Sequence, residues 1–142
     1  MRYSPNRTCS LVLHDDAKAD LDRIYEEDED AGADIEVFLE EAKNNQETLD
    51  NLTRKGYVQY GEWPFSVDEW REAKCSRYNL WRVRLLWLAG AAAKYRIIYA
   101  FHTVEYRYYI LGIVNRDFEY DLKHERSQQI LTAYDDLNIP RY

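Results

Sequence analysis

Three runs between Asn79 and Val114 leave this chain little choice of architecture. NLWRVRLLWL (Asn79 to Leu88), KYRIIYAFH (Lys94 to His102) and YRYYILGIV (Tyr106 to Val114) are dense in β-branched and aromatic residues. Such side chains fit a pleated, half-buried surface. The links are short, one around Gly90 and one over Thr103 to Glu105, so the strands are expected to fold back on one another as an antiparallel meander. A period of two then sorts their side chains. Trp81, Val83, Leu85 and Trp87 share one face of the first strand and Arg82 and Arg84 the other; in the second, Tyr95, Ile97, Tyr99 and Phe101 oppose Arg96. The expected sheet has an apolar face that needs a cover and a second face that carries arginines.

The N-terminal third supplies the cover. CSLVLH (Cys9 to His14) reads as an opening strand. From Asp15 the period changes: Ala17, Leu21, Ile24 and Tyr25 mark one face of a helix that Asp15 or Asp16 can cap. The run EEDEDAG breaks the pattern at Gly32, and Ile35, Phe38, Leu39, Ala42, Leu49 and Leu52 resume it on a second, longer helix. Two amphipathic stripes in succession make a helical hairpin in search of a surface. Residues 53–75 mix glycines, Pro64 and aromatics, and read as an insertion or extended connection with a short helix from Ser66 that Glu69 helps to cap. HERSQQILTAYDDL closes the chain as a short helix, with Ile130, Tyr134 and Leu137 on one face and Pro140 beyond its end. The fold class is therefore α+β: an N-terminal strand and helical hairpin packed on a small antiparallel sheet, with a short C-terminal helix. At 142 residues, one domain over 1–142 is expected.

No segment approaches the ~18 uninterrupted apolar residues of a membrane span, and MRYSPNRTCS lacks the apolar core of a secretory signal, so a cytoplasmic protein with no membrane partner is expected. Cys9 and Cys75 are the only cysteines and have no CxxC spacing or suitably placed histidines. Neither a disulfide nor a metal site is expected. GxSxG, Walker and HExxH patterns are all absent, His14, His102 and His124 are scattered, and the acids from Glu26 to Asp30 read as a solvated helix end.

The formal charge of −7 would disfavour a nucleic-acid partner if it were evenly spread. Residues 1–50 hold 5 Lys/Arg against 15 Asp/Glu, whereas residues 71–126 hold 11 against 6, so the positive charge gathers on the sheet. Arg82, Arg84, Arg96 and Arg116, the last at the end of YILGIVNRDFEYD, come from three neighbouring strands. Guanidinium groups are rigid forks suited to phosphate, and their mutual repulsion must be relieved by an anion or by Asp117, Glu119 and Asp121. With Tyr120, Phe118 and Trp81 as aromatic neighbours, this set points to an RNA surface of phosphate contacts and base stacking.

The order of elements, LWRVRL and YRIIYAF in the meander, and YILGIVNRDFEYD before a short final helix resemble the RelE/ParE toxin superfamily of bacterial toxin–antitoxin systems, closest to its RelE and HigB branch. The resemblance covers nearly the whole chain apart from 53–75. It implies a type II toxin: a metal-independent endoribonuclease that cuts translated mRNA in the ribosomal A site, inhibits translation, needs no small-molecule cofactor and is neutralised by a cognate antitoxin protein. In such enzymes the 2′-hydroxyl attacks the adjacent phosphate and leaves a cyclic phosphate, which calls for a base, positive charge on the phosphorane and a proton donor to the leaving oxygen. Carried over by position, Arg82 and Arg84 match the basic pair of the first meander strand, Arg96 the next strand's arginine, Arg116 the arginine after the last strand and Tyr120 the nearby tyrosine. The resemblance makes Arg96, Arg116 and Tyr120 catalytic, and Arg82, Arg84 and Phe118 RNA-binding.

This chain departs from the pattern at the basic pair, where RelE-type enzymes often carry lysines. Arginine stays charged, so the base falls to Tyr120, with its pKa lowered by the arginines, or to Asp117 or Glu119. Tyr120 also follows Arg116 by four residues, earlier than in RelE. The ParE branch offers a different activity, inhibition of DNA gyrase by contact, and an inactive interaction relative is a third reading.

Overall fold

The computed structural model describes residues 8–58, 64–86, 91–118 and 120–141. Chain order is β1 (Ser10–Leu13), α1 (Asp15–Glu27), α2 (Glu29–Lys43), α3 (Gln46–Asn51), β2 (Gly56–Val58), β3 (Phe65–Glu69), α4 (Arg71–Cys75), β4 (Leu80–Leu85), a 3₁₀ turn (Ala91–Lys94), β5 (Tyr95–His102), β6 (Arg107–Asn115) and α5 (Glu125–Asp136). The six strands form one sheet in the order β1-β6-β5-β4-β3-β2. The meander β4-β5-β6 is antiparallel as expected, with Trp81 opposite Tyr99 and Arg96 opposite Val114. β1 joins the far side of β6 in parallel. The fold is mixed α+β, with a larger sheet than the sequence suggested.

The excess comes from β2 and β3, which lie in the stretch expected to be an insertion or extended connection. FSVDE alternates, so Phe65 and Val67 sink into the core at 1% exposure each while Ser66 and Asp68 face the other way. β3 pairs antiparallel with β4, Ser66 against Arg84 and Asp68 against Arg82. The helix expected from Ser66 instead starts at Arg71. Other boundaries move for reasons of capping. His14, rather than Asp15 or Asp16, caps α1, accepting the Asp16 N–H on Nδ1 at 3.1 Å. The hairpin breaks at Asp28, whose carboxylate caps α2 through Ala31 N at 3.1 Å, and Gly32 lies inside α2. There a Cβ would sit 2.7 Å from the Tyr25 ring, so the glycine serves helix packing and not the turn. The long second helix is two helices, because Asn45 turns its side chain to cap α3 at Thr48 N, 3.0 Å away.

α1 and α2 cover one face of the sheet, over Val83, Leu85, Ile97, Tyr99 and Phe101, the face that period two assigned to the core. Tyr99 and Tyr108 explain part of the tyrosine excess: their rings are buried, and their hydroxyls donate to Leu52 O at 2.7 Å and Leu49 O at 2.6 Å. Burial pushes both phenol pKa values up, that of Tyr99 strongly. Each ring thus adds apolar area while satisfying a carbonyl at the end of α3. The opposite face is only half arginine. Leu80, Ile98, Ala100 and Leu111 form a second core with Ile130 and Tyr134 of α5, and the basic side chains occupy the uncovered remainder. Among the described residues no helix is long and apolar enough to cross a membrane.

β1 protects the edge of β6 only as far as Ile110. Beyond it Asp20 of α1, 5% exposed, accepts the Ile113 N–H at 2.9 Å and the Arg126 guanidinium at 2.5 Å. Arg126 belongs to α5, so one buried carboxylate ties together the helices on the two faces. Arg126 passes over Gly112, where a Cβ would lie 2.8 Å from its Nη2 and 3.2 Å from Ile130 Cδ1. Gly112→Ala is expected to cost about 1–3 kcal/mol through overpacking, read as a lower urea midpoint with an unchanged m-value.

Candidate functional site

The uncovered part of the second face is a groove of about 230 Å³ lined by Ser66 and Asp68 of β3, Arg82 and Arg84 of β4, Arg96 of β5, and Arg116 and Tyr120 after β6. The sheet explains the convergence. Even-numbered side chains of β4 and β5 point to this face, and cross-strand pairing sets Asp68 beside Arg82 and Ser66 beside Arg84.

The four guanidiniums are not equivalent. Arg82 bonds Asp68 Oδ2 at 3.1 Å, and Lys55 lies 3.7 Å from the same carboxylate. Arg96 donates from Nη1 to Ala93 O at 2.7 Å and to Tyr95 O at 3.0 Å, which fixes the guanidinium over its own turn. Arg116 is held through its main chain, with its N–H on Lys94 O at 2.7 Å, and its side chain is exposed, as is that of Arg84. Among the described residues, only Arg82 of the four has a carboxylate partner. Among the described residues lining the groove, four positive charges therefore face one negative charge. Burial, with Arg84, Arg82 and Arg116 as like-charged neighbours, lowers the Arg96 pKa from its ordinary value against a smaller opposing pull from Tyr120. A site that crowds like charges in this way gains most from an incoming anion.

Tyr120 differs from expectation. Burial raises its pKa and outweighs the lowering effect of Arg82 and Arg96, so at neutral pH the phenol is a proton donor and not a base. The Arg82 guanidinium stacks 4.5 Å from the ring centroid, and the hydroxyl is buried without a hydrogen-bond partner. Burial also raises the Asp68 carboxyl, but the Glu69 N–H at 2.8 Å and the Arg82 guanidinium outweigh it. Asp68 is therefore a carboxylate at neutral pH, held below the usual range.

Other predicted residues fall elsewhere. Phe118 does not line the groove; it packs edge-on against Trp70, Tyr120 and His124, with centroids 6.1, 4.9 and 5.5 Å away, and supports the site from behind. Asp117 is exposed in the turn after β6, its N–H on Asn115 Oδ1 at 3.0 Å, outside the groove lining. Asp121 accepts the Lys123 N–H at 2.9 Å. Glu119 lies outside the described residues. Trp81 packs on the hairpin side, away from the arginines. Sequence reasoning missed Ser66, Asp68 and Trp70; the alternation of FSVDE was a weak signal for the first two, and Trp70 carried none.

A larger cavity, about 360 Å³, opens on the hairpin side between Thr53, Arg54, Trp81 and Tyr108. It has no comparable convergence of charge, so size is the poorer guide here. Among the described residues no group of three or more His, Cys, Asp or Glu side chains is placed to hold a metal ion. The fold and groove together describe a mixed α+β fold with Arg82, Arg84, Arg96, Arg116 and Tyr120 converging on one groove beside Asp68. Against protein-family models, curated proteins and solved structures, the chain finds no match.

Proposed function

We propose that this chain is a RelE/ParE-type toxin of the nuclease branch: an endoribonuclease that cleaves translated mRNA at the ribosome without a metal and is neutralised by a cognate antitoxin. The observation that carries the reading is the convergence of Arg82, Arg84, Arg96, Arg116 and Tyr120 on one groove with Asp68, the single carboxylate among its described lining residues. The order of strand, helical hairpin and antiparallel strands supports it.

The chemistry follows from the charges. A phosphodiester placed among Arg84, Arg96 and Arg116 meets donors already oriented for the extra negative charge of a phosphorane. The 2′-oxygen forms the new bond to phosphorus and the bond to the 5′-oxygen breaks. Asp68, ionised and inside the groove, takes the 2′-hydroxyl proton, a role in which it displaces Asp117. Tyr120, protonated at neutral pH, supplies the proton to the leaving 5′-oxygen. Arg82 holds both groups, by the ion pair on one side and the stacked ring on the other.

The test is induction of the wild type, Arg116→Ala and Tyr120→Phe in cells, followed by mapping of RNA ends. New ends inside translated codons, lost in Arg116→Ala and reduced about 10²- to 10⁴-fold in Tyr120→Phe, are the expected result. Growth arrest with intact RNA and a DNA-damage response would overturn the reading in favour of gyrase inhibition.

A further inference from the structure

Trp70 occupies the N-cap position of α4, where Ser, Thr, Asp or Asn would satisfy a free N–H, yet it makes no side-chain capping bond. Its backbone is pinned, with N donating to Leu80 O at 3.1 Å and O accepting from Lys74 N at 2.9 Å. The side chain, 2% exposed, is committed elsewhere. Its indole Nε1–H donates to Tyr120 O at 3.1 Å, and its ring meets the Tyr120 ring edge-on at 5.5 Å.

Tyr120 needs such a hold. Its φ of +58° lies in the left-handed region, which is unfavourable for a residue with a Cβ and persists only where the surroundings over-determine it. The indole bond anchors the carbonyl, and Phe118 and Arg82 confine the ring. The outcome is a phenol whose buried hydroxyl has no partner, set in a wall shared by two openings. One is the arginine groove. The other, about 300 Å³, runs beside Glu69 and Arg71, and both are lined by Asp68, Arg82 and Tyr120.

We infer that Trp70 is a positioning residue: its indole N–H locks the Tyr120 backbone in the left-handed turn and thereby presents the phenol to substrate from the wall between the two grooves. The inference rests on the RNA-cleavage reading for its consequence in rate, while the lock itself is a property of the fold. It gives residues 64–75 a purpose that the sequence did not suggest. β3 brings Asp68 to one flank of Arg82 and Trp70 brings the hold on Tyr120, so this segment supplies the supports of the site.

The sharpest test replaces Trp70 by benzothienylalanine, which keeps the shape of the indole and lacks only the N–H. On programmed ribosomes, kcat is expected to fall about 10- to 100-fold, as for a slightly misplaced reacting group, with KM changed less than about threefold. Circular dichroism and the urea midpoint should show a folded protein. In a Tyr120→Phe background the same replacement should have no further effect on kcat, because Trp70 acts through that hydroxyl. An unchanged kcat, or an equal loss in the Tyr120→Phe background, overturns the inference. If the wild type cleaves no RNA, the proposed function fails and the lock is judged by NMR of [13Cζ]tyrosine. The Tyr120 titration is then expected to move down toward the ordinary tyrosine range once the N–H is removed, and an unmoved titration overturns the lock.

Discussion

Asp20→Ala is expected to remove about 3–5 kcal/mol of stability, the loss typical of breaking a buried ion pair from one side. Three groups lose this carboxylate at once: the Ile113 N–H, the Arg126 guanidinium, which keeps Gln129 Oε1 and Leu111 O, and the Arg23 guanidinium, which keeps Glu27; they lie 2.9, 2.5 and 3.2 Å from it. The first two matter most. Ile113 is fully buried on a strand edge that β1 does not reach, so its N–H has no ready substitute, and Arg126 keeps 18% exposure against 7% for Asp20. Arg23 is half exposed and returns to water at little cost. A domain of this size has about 5–15 kcal/mol in hand, so the variant should melt well below the wild type in a thermal scan by circular dichroism. Arg126→Met should cost less, because Asp20 keeps both the Ile113 N–H and Arg23. Equal losses in the two variants would show that the strand-edge bond contributes nothing.

Under the proposed function a large effect on activity is expected at Arg96. Arg96→Ala should lower kcat about 10²- to 10³-fold, the scale seen when one preorganised oxyanion donor is removed. Arg96→Lys should recover little of it. The two carbonyls of Ala93 and Tyr95 fix a planar fork, and an ammonium on a flexible stem can occupy that position without presenting the remaining donors at the same angle. Single-turnover cleavage on programmed ribosomes separates this from a defect in binding. The pH profile of the wild type checks the partner roles. In the proposed mechanism Asp68 acts as a carboxylate with its pKa lowered, so the rate should hold down to mildly acidic pH and fall only as pH drops through that depressed value. Tyr120 acts as an acid with its pKa raised, so the alkaline limb should lie above the ordinary tyrosine range and vanish in Tyr120→Phe. A base limb near neutral pH would exclude Asp68 as the base, and an alkaline limb that persists in Tyr120→Phe would exclude Tyr120 as the acid.

The site was legible in the sequence to the extent that it is built from alternation within single strands. Arg82, Arg84 and Arg96 share a face because a strand has a period of two, and that holds whatever the strand packs against. Asp68 was hidden because Pro64 and nearby glycines mark a connection in local terms, and only pairing with β4 makes FSVDE a strand. Trp70 was hidden more deeply. Its hydrogen bond spans 50 positions in sequence, and nothing near Trp70 announces a partner near Tyr120. The sign of the Tyr120 pKa shift was misjudged for a related reason: neighbouring arginines can be counted from sequence, whereas the burial that outweighs them cannot.

What the amino-acid sequence determined by itself was the material: three amphipathic strands joined tightly, a pair of helices with apolar stripes to cover one face, and positive charge gathered where the other face stays open. These follow from propensity and periodicity, which act over a few residues. The tertiary structure alone decided that Gly56–Val58 and Phe65–Glu69 extend the sheet, that Asp20 bridges both layers through Arg126, and that Asp68 and Trp70 flank Arg82 and Tyr120. Each depends on register or burial between segments far apart in the chain, where the free energy of a contact is set by what surrounds it and not by the residues next to it.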